Sequence, residues 1–285
     1  MTHSPPFRRV LLAGAVAALV VVSPAVPLAQ DYSAEAARRR TLDLILDTYV
    51  RDGFVYYRAL RAERARLDRY VNELATVDVD RLGRDQQIAF WLNGYNAVVL
   101  RTVIDHYPIQ RRSAEYPPRS IRQIPGAFDR SPHRVGGRTL TLDQIEQTVL
   151  SKFSDPRLYF AIGRGAVGGG RLRSEAFAPE SLEAQLADVA AECTSRGQCA
   201  HLDTTANKLM ASEIFSWREK EFVTGYADKA PEAFAARSPV ERAIIGFIQP
   251  KLFTTEREFM AKNTFQLAYQ PLDWSLNDLT GRGDR

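Results

Sequence analysis

The sequence predicts an α+β fold: a single, predominantly helical domain with a small, mostly antiparallel sheet. Three observations carry this. A long apolar helix occupies residues 85–106, shorter segments repeat apolar residues at helical spacing, and the few strand-like runs do not alternate regularly with the helices. The last point argues against a doubly wound sheet, in which strands and helices take turns along the chain.

The first element is set aside from the fold. Arg8 and Arg9 precede an apolar run from Val10 to Val22, which exits through Ser23-Pro24-Ala25-Val26-Pro27-Leu28-Ala29. A positive start, a short apolar middle and a small-residue exit make the pattern of a secretory signal peptide over residues 1–29. An uncleaved anchor is the competing reading, although the run is shorter than the ~20 apolar residues of a membrane span. The expected organisation is a signal peptide (1–29), an N-terminal helical segment (30–80) and a main domain (81–285). Export to the periplasm or beyond follows from that reading, with no membrane span after processing. Removal of residues 1–29 leaves 36 basic against 34 acidic residues. These are interspersed rather than gathered into a stripe, so no nucleic-acid partner is expected.

The remaining elements are read in order. Residues 34–52 and 58–75 predict amphipathic helices around Gly53-Phe54-Val55. The helix over 85–106 ends at Tyr107-Pro108, because proline disfavours helix in the residue before it. Residues 111–134 read as irregular apart from a turn at Ser120–Ile124, and 135–140 read as a tight hairpin around Gly136-Gly137. Thr141 and Gln144 form a capping box that starts a helix through Leu150. A strand is expected over 157–162, then a glycine-rich loop over 163–170, then a helix from Pro179 to near Cys193. Residues 208–222 and 239–252 read as largely helical, and Phe265–Tyr269 as a final strand.

Within the helix at 85–106, two asparagines fall on packed faces. At about 100° per residue, Asn96 lies between Leu92 and Ala89, and Asn93 lies beside Leu100. A buried amide without partners costs about 1–3 kcal/mol, so both either brace a neighbouring backbone or line a polar pocket. Gly163-Arg164-Gly165-Ala166-Val167-Gly168 matches G-x-G-x-x-G, but no helix opens at its last glycine, as pyrophosphate binding requires. The templates G-x-S-x-G, H-E-x-x-H and the Walker loop are absent. His106, His133 and His201 lack metal-ligand spacing, so neither a metal nor another cofactor is expected. Cys193 and Cys199 favour a disulfide in an exported protein; free thiols are the alternative, since a metal would need ligands that the local sequence lacks. Asp273-Trp274-Ser275-Leu276-Asn277 reads as a structural anchor, a bulky ring flanked by polar groups that can satisfy turn backbone.

Taken together, Ala89-Phe90-Trp91-Leu92-Asn93-Gly94-Tyr95-Asn96-Ala97, Asp105-His106-Tyr107-Pro108, Gly136 through Glu146, Asp155-Pro156-Arg157 and Leu272 through Asn277 resemble bacterial members of the domain of unknown function 547 (DUF547) family. The likeness covers roughly residues 45 to 278. It implies a scaffold whose usual members look like cysteine–histidine enzymes, with a histidine after the glutamate at 146, another in the segment 157–162, and two cysteines in the following loop. This chain carries Gln147, Tyr159, Arg164 and Gly169 at those places, while Gly165, Ala166, Leu172, Arg173, Glu175 and Ala176 still match. Arginine stays protonated and is no nucleophile, and glutamine cannot shuttle protons as imidazole does.

The expected function is therefore an exported, non-catalytic binding or scaffold member of that family, with an unknown small molecule or an envelope protein as its partner. Asn93, Tyr95, Asn96, Gln147 and Arg164 are the candidate ligand-binding residues. Trp91, Asp273, Trp274 and Asn277 are the candidate structural residues. The alternative is a hydrolase or transferase using Glu146 as acid or base, with Asn93 or Asn96 and an anion site at Arg164. A purely structural envelope protein without a ligand is the third reading. What separates them is whether Asn96, Glu146, Gln147 and Arg164 meet in one pocket.

Overall fold

Helix α1, Pro27–Tyr49, buries Leu42, Ile45, Leu46 and Tyr49, the i, i+3, i+4, i+7 stripe of an amphipathic helix. The computed structural model that shows this describes residues 1–3 and 27–280, so most of the expected signal peptide lies outside the described residues. The chain divides into two units, Met1–Ala36 and Ala37–Arg285, and everything that follows belongs to the second. That unit is an α+β domain in which helix predominates.

After α1 the chain turns through a minimal hairpin, β1 (Val50–Arg51) and β2 (Phe54–Val55), with Asp52 and Gly53 both at positive φ. Helices α2 (Tyr57–Ala62) and α3 (Ala65–Glu73) follow and pack against α4 (Arg84–His106). Every residue from Ile88 to Leu100 is buried, which explains why α4 is apolar on all sides. Large side chains such as Phe90, Trp91 and Tyr95 are fully enclosed there, each contributing about 1.5–3 kcal/mol of burial. The hairpin β3 (His133–Val135) and β4 (Arg138–Leu140) lies over α4. Its turn needs glycine at 136: φ is +61°, and a Cβ there would stand 2.8 Å from Val79 and 3.0 Å from Trp91.

Beyond the hairpin come α5 (Leu142–Gln144) and α6 (Leu158–Ala161). The strand expected over 157–162 is instead this helical turn. Asp155 accepts a hydrogen bond from the Arg157 N–H at 3.0 Å, and Pro156 sits where its missing N–H costs nothing. All of Leu158–Ile162 is buried, so the apolar run had no periodicity to reveal its conformation.

Helix α7 (Leu182–Ser195) leads to a three-stranded sheet, β5 (Ala200–Asp203), β6 (Lys208–Ser212) and β7 (Gln266–Gln270). The order is β5-β6-β7, antiparallel between the first pair and parallel between the second. Residues 208–212, expected as helix, are thus the central strand. Asn207 at φ +52° turns the chain into the strand, and Ser212 ends it by accepting from the Ile214 N–H of α8 (Glu213–Trp217). Helices α9 (Glu219–Tyr226), α10 (Pro239–Ile248) and α11 (Thr254–Ala261) complete the domain. Phe215, Phe222 and Phe247 from this region enclose Phe160 of α6, with ring centroids 5.3–5.9 Å apart. A disulfide joins Cys193 near the end of α7 to Cys199 at the entrance of β5. Among the described residues no helix is long and apolar enough to cross a membrane.

Candidate functional site

The site begins with the capping box. The Gln144 N–H donates to Thr141 Oγ1 at 3.2 Å, and the Thr141 N–H donates to Gln144 Oε1 at 2.9 Å. The helix so started does not continue as α: Ile145–Val149 form a π turn, then Leu150–Phe153 a 3₁₀ turn. Widened turns of this kind recur at functional sites. Here the turn places Glu146 inside the protein and leaves Gln147 exposed.

The glycine-rich loop comes to meet it. Asn96 clamps its start: the side-chain amide donates to the Ala161 carbonyl at 3.2 Å and its oxygen accepts from the Gly163 N–H at 2.9 Å. The loop then pairs with the C-terminal segment, Val167 N–H to the Ser275 carbonyl at 2.9 Å and Gly168 N–H to the Asp273 carbonyl at 2.8 Å. A Cβ at Gly170 would stand only 2.0 Å from the Phe160 carbonyl oxygen. These glycines therefore serve close packing of backbone on backbone. Several of the loop's N–H groups are occupied within the protein, which is not how a phosphate-binding loop presents them.

Arg164 stands in this loop in the left-handed conformation, φ +49°, and its side chain is almost wholly buried. It makes a two-pronged pair with Glu146: Nη2 to Oε1 at 2.7 Å and Nε to Oε2 at 3.2 Å. Its Nη1 donates to the Tyr159 carbonyl at 2.9 Å. Arg218, between α8 and α9, adds a third bond to Glu146 Oε1 at 3.0 Å, and its guanidinium lies 4.4 Å over the Tyr159 ring. Burial penalises the charge on Glu146, but the two guanidinium groups outweigh it and hold the carboxyl below the usual carboxylate range. Burial likewise works against the Arg164 cation, and Glu146 raises its pKa regardless. Glu146 is thus an ionised carboxylate receiving three charge-assisted hydrogen bonds, a poor proton donor and a weak base.

Above this cluster opens a cleft of about 420 Å³, lined by Arg122, Phe128, Asp143, Glu146, Gln147, Arg164, Trp217, Arg218 and Trp274. Arg122 lies 4.1 Å over the Trp274 ring and 4.8 Å over Phe128, and makes no ion pair among the described residues. Trp217 stacks beside Trp274, centroids 6.4 Å apart, and is 43% exposed. Asp143, on the same helical turn as Glu146, has its pKa raised, first by burial and then by the negative charge of Glu146. No cluster of metal-ligating side chains occurs among the described residues.

The residues expected from sequence divide into two groups. Glu146, Gln147, Arg164 and Trp274 meet at the cleft. Asn93, Tyr95 and Asn96 do not line it. Both asparagines brace backbone, Asn93 by accepting from the Phe177 N–H at 2.8 Å and donating to the Phe177 carbonyl at 2.9 Å. Tyr95 is buried next to the cluster, its hydroxyl without a hydrogen bond among the described residues, and burial followed by the charge of Glu146 drives its pKa upward. Asn277 accepts from Tyr57 Oη at 2.7 Å and donates to the Gly53 carbonyl at 2.8 Å. Asp273 accepts from the Ser275 N–H at 2.9 Å, and Trp91 packs edge-on against Phe90. Arg122, Phe128, Asp143, Trp217 and Arg218 had not been singled out. The spacing of Asp143 and Glu146 at i, i+3 just after a capping box was a usable signal. Arg218, 72 residues from Glu146, left none.

Residues 79–192 match the family model described as Protein of unknown function, DUF547, so this part of the chain is similar to that family. It contains α4, the hairpin, Glu146, the glycine-rich loop and most of α7; Trp217, Arg218 and Trp274 come from beyond it. No curated protein and no solved structure matches the chain.

Proposed function

We propose that this is an exported, non-catalytic DUF547 protein that binds a small molecule in the cleft over Glu146. The observation that carries the reading is the buried Arg164–Glu146 pair. The loop position at which the family resemblance leads one to look for a thiol holds a guanidinium, and that guanidinium is fixed by a carboxylate and a backbone carbonyl. Neither partner is free to attack a substrate or carry a proton. The same geometry weighs against a hydrolase or transferase built on Glu146. Asn93 and Asn96 are engaged elsewhere, and Arg164 is already neutralised. The cleft has the volume of a small-molecule site, and its lining, aromatic at Phe128, Trp217 and Trp274 and otherwise polar or charged, suits a polar ligand. The disulfide and the positive-then-apolar start of the chain support export.

The purified chain, freed of residues 1–29, is expected to turn over no ester, amide, thioester or glycoside probe above background. Hydrolysis or transfer that disappears in Glu146→Gln or Arg164→Ala, with folding retained by circular dichroism, would sink the proposal. Export is tested by fusing residues 1–35 to a phosphatase that is active only outside the cytoplasm. Activity is expected, and its absence overturns that part.

A further inference from the structure

The cleft has a definite chemical character, and the inference drawn from it rests on the binding reading above. Its floor is neutralised from within: Glu146 takes bonds from both Arg164 and Arg218, and Arg218 also pairs with Glu221 at 3.7 Å. One full cation is left over at the mouth. Arg122 is exposed, its guanidinium carbon held 4.1 Å from the Trp274 ring and 4.8 Å from that of Phe128, and paired with no carboxylate among the described residues. A planar guanidinium so held presents its outer edge as a preorganised fork for a carboxylate. A doubly charged phosphate would find one free cation and two carboxyl groups, Asp143 and Glu146, nearby, a poorer match.

The body of the ligand is set by what surrounds that fork. Trp217 offers an exposed ring face continuous with Trp274, a platform for the apolar face of a ring. Asp143 and Gln147 line the same space, and neither side chain is hydrogen-bonded among the described residues. A purely aromatic acid would cover these two groups without satisfying them, a desolvation cost. A ring bearing hydroxyls would bond to both. We infer that the cleft binds a sugar acid of one or two rings, its carboxylate on Arg122, its ring on Trp217 and its hydroxyls on Asp143 and Gln147.

Intrinsic fluorescence tests this directly, because two of the three tryptophans, Trp217 and Trp274, line the cleft while Trp91 is buried away from it. Digalacturonate, neutral galactobiose and phenylacetate serve as probes, with calorimetry as a second readout. Digalacturonate is expected to bind saturably and about tenfold or more tighter than galactobiose, the worth of one charge-assisted pair. Arg122→Gln should remove that preference without changing the fold, and Trp217→Ala should weaken both sugars. Equal binding of the two sugars, tighter binding of phenylacetate, or no binding of digalacturonate at millimolar concentration would overturn the inference. The two readings fail separately. Digalacturonate bound and converted to a new product by NMR breaks the non-catalytic reading but keeps the ligand class. Phenylacetate bound tightly and recovered unchanged breaks the ligand class alone.

Discussion

Two polar clusters are buried within a few residues of each other in this fold, and they behave differently. The asparagines of α4 are neutral and each answers one stretch of backbone, Asn93 at Phe177 and Asn96 at Ala161 and Gly163. The Glu146–Arg164–Arg218 cluster is charged, draws on three distant segments and opens onto a cleft. Neutral amides can be satisfied wholly inside and then serve as struts. Charges taken from water need opposite charges around them, and here Glu146 and Glu221 between them answer Arg164 and Arg218, so the cluster closes its own charges beneath the cleft.

The contrast can be broken at several points. The largest effect is expected from Arg164→Met, which leaves Glu146 with Arg218 alone. Removing one partner of a buried pair costs about 3–5 kcal/mol, read as a lower urea midpoint. The double variant Arg164→Met/Glu146→Gln should recover a good part of that. If it does not, the cost lies in packing and the electrostatic account is wrong. Asn96→Leu orphans the Ala161 carbonyl and the Gly163 N–H, at about 1–3 kcal/mol for each group left unsatisfied. Because that strut positions the loop rather than charging the cleft, ligand binding should fall in step with folding and not before it. Replacing both Cys193 and Cys199 by Ala, which touches neither cluster, should cost about 2 kcal/mol from the short loop they close. Tm should drop by roughly 4–8 °C, a size against which the other two are judged.

The smallest effects are those of pH. Glu146 has a depressed folded pKa, so its contribution is present above the unfolded carboxylate value and is lost as pH falls through the folded one. Asp143 has a raised folded pKa, so it works the other way, subtracting stability as pH rises past the unfolded value towards the folded one. Urea titrations between pH 3 and 7 should show Glu146→Gln losing part of the acid-side slope. Asp143→Asn should gain under ~1 kcal/mol at neutral pH, since the group is half-exposed and screened. A stabilising Glu146→Gln would show that the cluster is a net cost to the fold.

Much of this was legible in the residues. The apolar helix 84–106, the Gly136-Gly137 turn and the Thr141–Gln144 capping box declared themselves because each rests on contacts within a few positions. Residues 158–161 and 208–212 did not. Both are short apolar runs whose helical or extended state depends on what packs over them, the phenylalanine cluster in the first case and β5 with β7 in the second. The π turn at Ile145–Val149 was equally silent, since local propensity sets no distinction between a turn of α and one of π.

By itself, the sequence determined the α+β class, the core helix and the absence of a thiol from the loop at 163–170, because these depend on residue type and short-range spacing. Only tertiary structure decided which polar residues belong to the site. It turned Asn93 and Asn96 into struts and brought Arg122, Trp217 and Arg218 to Glu146 from as far as 72 residues away. Electrostatic pairing acts through space, whereas sequence order reports only neighbours along the chain.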